Sequence, residues 1–521
     1  MKQITSIVSR EYSHRVKLII NLMSSASSFI ILLGINFFLS PYIVRTIGIE
    51  ANGFIQLGIN FTSYAALTTI ALNSMAGRFV SIAVHKNDID KANKYYTAVV
   101  YGNVVMGLVL AISSFFVVLY LEHLVIIPPQ LVNDVRLLFA LLFASFILGT
   151  AFSFQGISAF VRNRLYLDIA TQTISQILQA IALIVMFSMF DPRVFYKGLA
   201  FTLAAVVLVI LRFGFRRVLL PEVRAKISSF DWSALWELLS SGFWNMVSRG
   251  GHVLLLGLSL LIANLFVSPS AMGVLAIAMI LPNTLMRLKW ALASVFVPSI
   301  TEHYAREDMD KLKRELISGM KIIGIILSVP LAGIFVFGYD FFSLWLPSED
   351  AQLLYTVTIF ACFGFVFTST VDNVQSIFIV TNRLKTFSLL MTLSGFLSFV
   401  VIFVSLQVGV PERVALILLA GVPSLFIILR NLLYAVPFGA KHLGFKWHTF
   451  YPCIIYSVIS VFAVAVIGLI INLFFTIETW TSLAVACVLT AAIGYTVAVL
   501  IVFSKDERRN LLGSLKKTFR R

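Results

Sequence analysis

Asp88 and Asp90 stand one residue apart among lysines in the stretch HKNDIDKANK, His85 to Lys94. Two carboxylates so spaced can hold the metal that binds a nucleotide-sugar diphosphate, so metal-dependent glycosyl transfer is the first chemistry to weigh. A second set of candidates lies inside apolar runs. Asn245, Arg249 and His252 are spaced four and three apart and share one helix face; Asn283 and Arg287 do the same further on. Lys289 sits about 200° round a 3.6-residue helix from Arg287. It either lines a cavity on its own account or snorkels toward the membrane surface. Arg249 and Arg287 are expected to line a wet cavity, with a structural salt bridge as the alternative. His252 reads first as a hydrogen-bonded packing residue and only second as part of that cavity.

Asp372 beside Asn373 is the natural place for a coupling H+ or Na+, because a carboxylate in low dielectric has a protonation state set by its neighbours. Neutralising Arg249 or Arg287 suits it equally. Uncharged polarity is arranged in stripes. Asn52, Gln56, Asn60, Tyr64 and Thr68 recur every four residues, and Asp168, Gln172, Ser175, Gln176 and Gln179 follow one face of another helix. Amides and a phenol offer donors and acceptors without fixed charge, which suits sugar hydroxyls. Interhelical hydrogen bonding would use the same residues.

The elements that position these groups are membrane spans. Of 521 residues, 59% are hydrophobic and only 12% charged, and the mean hydropathy is +0.94. Apolar runs of roughly 20 or more residues recur, each long enough to cross about 30 Å of hydrocarbon as a helix. The runs are continuous rather than alternating, which excludes barrel strands. The expectation is an all-α polytopic membrane protein with about fourteen spans, at 18–44, 51–84, 95–121, 135–160, 166–190, 197–213, 238–266, 271–300, 315–346, 352–380, 386–408, 414–436, 450–474 and 481–503.

Most of the 40 Lys and Arg residues then fall in loops, tails and helix ends on one side, with Arg45, Arg136, Arg193, Lys197 and Arg413 on the other. By the positive-inside rule both termini face the cytoplasm. The basic tail SKDERRNLLGSLKKTFRR points to anionic lipid of the inner leaflet; nucleic acid is a poor partner for a short tail beside a span. Cys362, Cys453 and Cys487 all fall within spans, so neither a disulfide framework nor a metal cluster is expected. The first helix follows mixed charges and has no small-residue cleavage site, so it is expected to stay attached.

The chain is written twice. At a shift of 220, Asp88 meets Asp308, Asp90 meets Asp310 and Lys91 meets Lys311; the match runs back through the preceding span, pairing Ala51 with Ala271, Gly53 with Gly273 and Ser74 with Ser294. At 219, VRNRL (Val161 to Leu165) meets VTNRL (Val380 to Leu384); at 216, LMSSA (Leu22 to Ala26) meets LLSSG (Leu238 to Gly242). Three matches in order at nearly one offset imply two homologous six-helix lobes related by an axis along the membrane normal, plus two C-terminal helices. The divisions are 1–17, 18–225, 226–448, 449–504 and 505–521. Each Asp-x-Asp therefore occupies an equivalent turn, where capping the next helix is favoured over metal binding.

On these halves, on NRL at equivalent turns, and on LSPYIVRTIG and SMAGRFVS, the chain resembles the polysaccharide transporter (Wzx-type flippase) branch of the multidrug, oligosaccharidyl-lipid and polysaccharide exporter superfamily. The resemblance implies two lobes working by alternating access in the bacterial cytoplasmic membrane. The implied cargo is an undecaprenyl-diphosphate-linked oligosaccharide, moved from inner to outer leaflet, with polysaccharide polymerase and glycosyltransferases as partners and no resident cofactor. Forked guanidinium donors suit diphosphate oxygens. In lipid II flippases the cavity bases come largely from the N-terminal lobe, whereas here they lie in the seventh and eighth spans. The rival readings are a cation-coupled multidrug exporter, a lipid II flippase and a non-transporting scaffold of polysaccharide assembly.

Overall fold

The chain's structure, a computed structural model, describes residues 14–381 and 383–509. The basic tail beyond Arg509, the N-terminal segment before His14 and Asn382 of the second NRL lie outside the described residues. The helices are α1 (His14–Ile47), α2 (Ile49–His85), α3 (Ile89–Leu119), α4 (Val132–Ala151), α5 (Leu165–Met189), α6 (Tyr196–Leu219) and α7 (Trp232–His252). There follow α8 (Ser259–Phe266), α9 (Pro269–Ala278), α10 (Ile280–Ser294), α11 (Val297–Ala305), α12 (Met309–Trp345), α13 (Ala351–Thr368) and α14 (Asp372–Val380). The series ends with α15 (Leu384–Gln407), α16 (Glu412–Arg430), α17 (Val436–His442), α18 (Tyr451–Phe474) and α19 (Trp480–Val502). Thirteen of the described segments are long and apolar enough to cross a membrane, or fourteen when the pair bent by 40° at the π-helical turn Val253–Gly257 counts as one. The all-helical polytopic expectation is met, whereas the expected spans 135–160 and 352–380 are interrupted after Ala151 and Thr368.

Two compact units emerge. One comprises residues 1–253 and 260–273, the other 254–259 and 274–521. In the first, α2 packs against α3 and α7, and α6 against α4 and α5; in the second, α12 lies against α18 and α19, and α13 against α16. Lipid supplies no hydrophobic drive between helices, so close approach depends on small residues. Gly242 of α7 is the tightest case: a Cβ there would stand 1.9 Å from the Ala71 carbonyl oxygen on α2. The repeat-related Gly53 and Gly273 meet each other, a Cβ on Gly53 falling 2.9 Å from the Gly273 Cα. Gly242→Ala is expected to lower stability by about 1–3 kcal/mol, because the obstacle is backbone and cannot rotate away. Gly250→Ala, which meets nothing within 4 Å, should unfold at the wild-type temperature in detergent. Equal loss in both variants would discount this crossing.

Prolines inside spans leave carbonyls without their usual donor. Two such carbonyls are met by side chains of the same unit. The Tyr495 hydroxyl donates to the Ile326 oxygen, 3.2 Å away and one turn before Pro330, and the Ser259 hydroxyl lies 3.5 Å from the Leu419 oxygen before Pro423. Helix α19 thereby supports α12 at its proline.

Candidate functional site

The two acidic turns are built alike. Asn87 and Glu307 take left-handed φ angles of 59° and 56°. The Asp88 and Asp308 side chains then accept the Lys91 and Lys311 backbone N–H groups at 3.0 and 3.1 Å. Among the described residues no group of three or more His, Cys, Asp or Glu is placed to hold a metal. Asp88→Ala and Asp308→Ala should each cost about 1 kcal/mol as lost caps. Transport by the wild-type protein should be indifferent to a chelator, and chelator-sensitive transport would return the carboxylates to a metal role.

In the first unit, Arg249 is exposed on α7 and forms no ion pair among the described residues. One turn earlier the Asn245 amide donates to the Ser74 hydroxyl of α2 at 3.4 Å. His252 is half-buried and engaged with its neighbours, as a packing residue would be. On α2, Gln56, Asn60 and Tyr64 are half-buried, and Asn60 hydrogen-bonds the Tyr64 phenol. Asn52 is buried with its Nδ2 unpartnered.

The stripe on α5 is partly committed. Asp168 is paired with Arg212 of α6 at 2.8 Å and accepts the exposed Gln172 amide at 2.8 Å. The Gln176 Oε1 is buried without a partner. Sequence reasoning missed a reciprocal amide pair: Asn73 and Asn103 exchange hydrogen bonds of 2.8 and 2.9 Å, with the Ser153 hydroxyl alongside. It also missed Gln155, a fully buried amide that meets no hydrogen-bond partner at either end among the described residues. The four-residue spacing of the stripe draws the eye to one helix, whereas these contacts join several.

In the second unit, Asn283 and Arg287 are exposed on α10, and Arg287 has no ion pair among the described residues. Lys289 departs from its expected place at a cavity wall. It is buried, with its Nζ 3.2 Å from Asp372 Oδ1 and 5.3 Å from the centre of the Phe365 ring. The face that turns Arg287 outward turns Lys289 toward α13 and α14. Asp372 accordingly neutralises Lys289 rather than Arg249 or Arg287. Asn373 beside it is fully buried, its two amide atoms without a hydrogen-bond partner among the described residues, and a Cβ on Gly319 would come within 2.0 Å of its Nδ2.

Two interrupted helices converge on this cluster. The break between α13 and α14 carries Ser369, which lies 3.3 Å from the Ser457 hydroxyl, and the buried Thr370. The π-helical turn after α16 carries Asn431, whose oxygen accepts from Gln375 at 3.0 Å and Arg430 at 3.2 Å. Broken spans with free backbone and side-chain oxygens are where membrane transporters hold small cations. Arg430 is a second buried cation that interacts with Asp372. It was overlooked because it reads as a helix-end arginine.

The same unit has an apolar groove of about 590 Å³ between α10, α12 and α19, lined among others by Leu288, Val329, Ile334, Phe341, Leu483 and Val488. Its surface suits an extended hydrocarbon chain.

Helix order, repeated halves and broken spans around buried polar residues define a multi-pass membrane protein with the fold of flippases and multidrug exporters. The chain superposes on the lipid II flippase MurJ in an inward closed conformation with a TM-score of 0.67, at 14% identity, covering 95% of this chain and 100% of that one. An inward-facing multidrug resistance MATE family transporter of the MOP superfamily gives a TM-score of 0.58 at 15% identity, over 80% of this chain and 98% of that one. No family model matches. In sequence the chain is 28% identical over 507 residues to the uncharacterized membrane protein EpsK of Bacillus subtilis (strain 168), covering 96% of this chain and 99% of that protein.

Proposed function

We propose that the protein is a flippase for an undecaprenyl-diphosphate-linked oligosaccharide, carrying it from the inner to the outer leaflet of the bacterial cytoplasmic membrane, with both its own termini in the cytoplasm. The observation that carries this reading is the pair of exposed guanidiniums, Arg249 and Arg287, standing in mid-span without an acidic partner among the described residues. A bare guanidinium facing acyl chains would cost several kcal/mol, so each is read as facing water. An anionic headgroup is the ligand such a group takes up.

Three further features support it. MurJ, a lipid II flippase, shares the fold. The half-buried amides of α2 and the exposed Gln172 of α5 suit sugar hydroxyls. The apolar groove along α19 suits a polyisoprenoid tail. Asp372 and Asn373 are assigned the coupling H+ or Na+, and the neighbouring assembly enzymes, a polymerase and glycosyltransferases, are the expected partners. A MATE-like exporter of cationic drugs would want unpaired acids, whereas Asp372 and Asp168 are each paired with a base.

Purified protein in liposomes discriminates the readings. Labelled lipid-linked sugar protected on the far leaflet supports flipping. Dye efflux supports drug export, and neither activity supports an assembly scaffold.

A further inference from the structure

A further cavity, of about 630 Å³, opens at the end of the C-terminal unit where α12 begins. It lies between α12 and α18 under the loop that joins α17 to α18. Lys313, Ile317 and Lys321 are spaced by four and share one face of α12. Lys446 and His448 come from the loop, and Pro452 and Tyr456 from the first turns of α18.

The charges are not equally free. Lys321 is held by Glu507, at 2.6 and 2.9 Å from its two oxygens, and the Ser504 N–H reaches the same carboxylate at 2.8 Å. Burial would raise the Glu507 pKa, yet these partners hold it below its ordinary value. Lys313 lies 5.6 Å from the centre of the Phe445 ring and, like the exposed Lys446, forms no ion pair among the described residues. The cavity therefore keeps two ammonium groups without an ion-pair partner among the described residues.

The surroundings identify the kind of anion. Trp447 is 55% exposed beside the opening and contacts the His448 and Tyr451 rings. Exposed Trp with Tyr at a span end marks headgroup depth in a bilayer. The wall is apolar at Ile317, between Lys313 and the Glu507-bound Lys321, and at Pro452 and Tyr456 of α18. A soluble anion has no use for that wall, but a molecule with both a phosphate and acyl chains does.

We propose that this cavity is a binding site for an anionic glycerophospholipid, its phosphodiester between Lys313 and Lys446 and its chains along α18. The site is independent of the transport reading, since it uses none of the residues assigned to the cargo.

The test is lipid binding to the full-length protein in detergent, measured by native mass spectrometry with phosphatidylglycerol and phosphatidylcholine. Lys313→Gln with Lys446→Gln should weaken phosphatidylglycerol binding about tenfold and leave phosphatidylcholine unchanged. Charge loss elsewhere, in Lys86→Gln with Lys226→Gln, should leave both unchanged, and the charge-retaining pair Lys313→Arg with Lys446→Arg should bind as wild type. Glu507→Gln, which releases Lys321, should tighten phosphatidylglycerol binding.

Wild-type affinity in the double Gln variant, or equal affinity for the two lipids, would overturn the proposal. Displacement of phosphatidylglycerol by millimolar inorganic phosphate would also overturn it, in favour of a free-anion site.

Discussion

Arg249→Ala and Arg287→Ala are each expected to cut transport of the lipid-linked substrate at least tenfold, and together to abolish it, at unchanged levels of inserted protein. A hydrogen bond to a charged group is worth about 1.5–3 kcal/mol, which sets the tenfold scale for each. Stability should not follow. Neither guanidinium has an ion-pair partner among the described residues, and both are exposed, so truncation leaves no buried charge behind. Arg→Lys at either position should rescue only in part, because an ammonium cannot present two parallel donors to a phosphate. Near-normal transport by both Ala variants at native expression would remove these residues from the mechanism.

Lys289→Ala is expected to be damaging for the opposite reason. It would take the ion-pair partner from the buried Asp372 carboxylate, whose Oδ2 has no hydrogen-bond partner among the described residues, and leave it only the longer-range field of Arg430. Breaking a buried pair by removing one member typically costs about 3–5 kcal/mol, enough to deplete folded protein. Lys289→Met combined with Asp372→Asn removes both charges and should recover most of that loss. The recovered protein should nevertheless transport without dependence on an ion gradient, as should Asp372→Asn alone. This separates folding from coupling: folded double variant that still follows the gradient would sink the coupling role of Asp372, while a folded and stable Lys289→Ala would sink the ion pair.

What the sequence disclosed was whatever repeats along a single helix. Spans follow from continuous apolarity, and the caps at Asp88 and Asp308 follow from one motif written twice. Even the angle between Arg287 and Lys289 was readable, since 3.6 residues per turn sends them to different faces. What lies opposite a face was not readable. The Asp372 partner of Lys289 comes from another helix, as do the Arg212 partner of Asp168 and the Asn103 partner of Asn73. The cavity near Lys313 depends on a loop folding over two helix ends, a tertiary event with no periodic signature. The partner of Asp372 is therefore Lys289 rather than Arg249 or Arg287, and those of Asp168 and Asn73 have no signal on their own helices.

Headgroup recognition by Arg249 and Arg287 is tested most directly by binding of undecaprenyl diphosphate and of uncharged undecaprenol to purified wild-type protein and to the Arg249→Ala, Arg287→Ala double variant. The wild type should prefer the diphosphate by tenfold or more, and the double variant should bind both lipids alike. Equal binding by the wild type, or a preference that survives the loss of both arginines, would contradict the account.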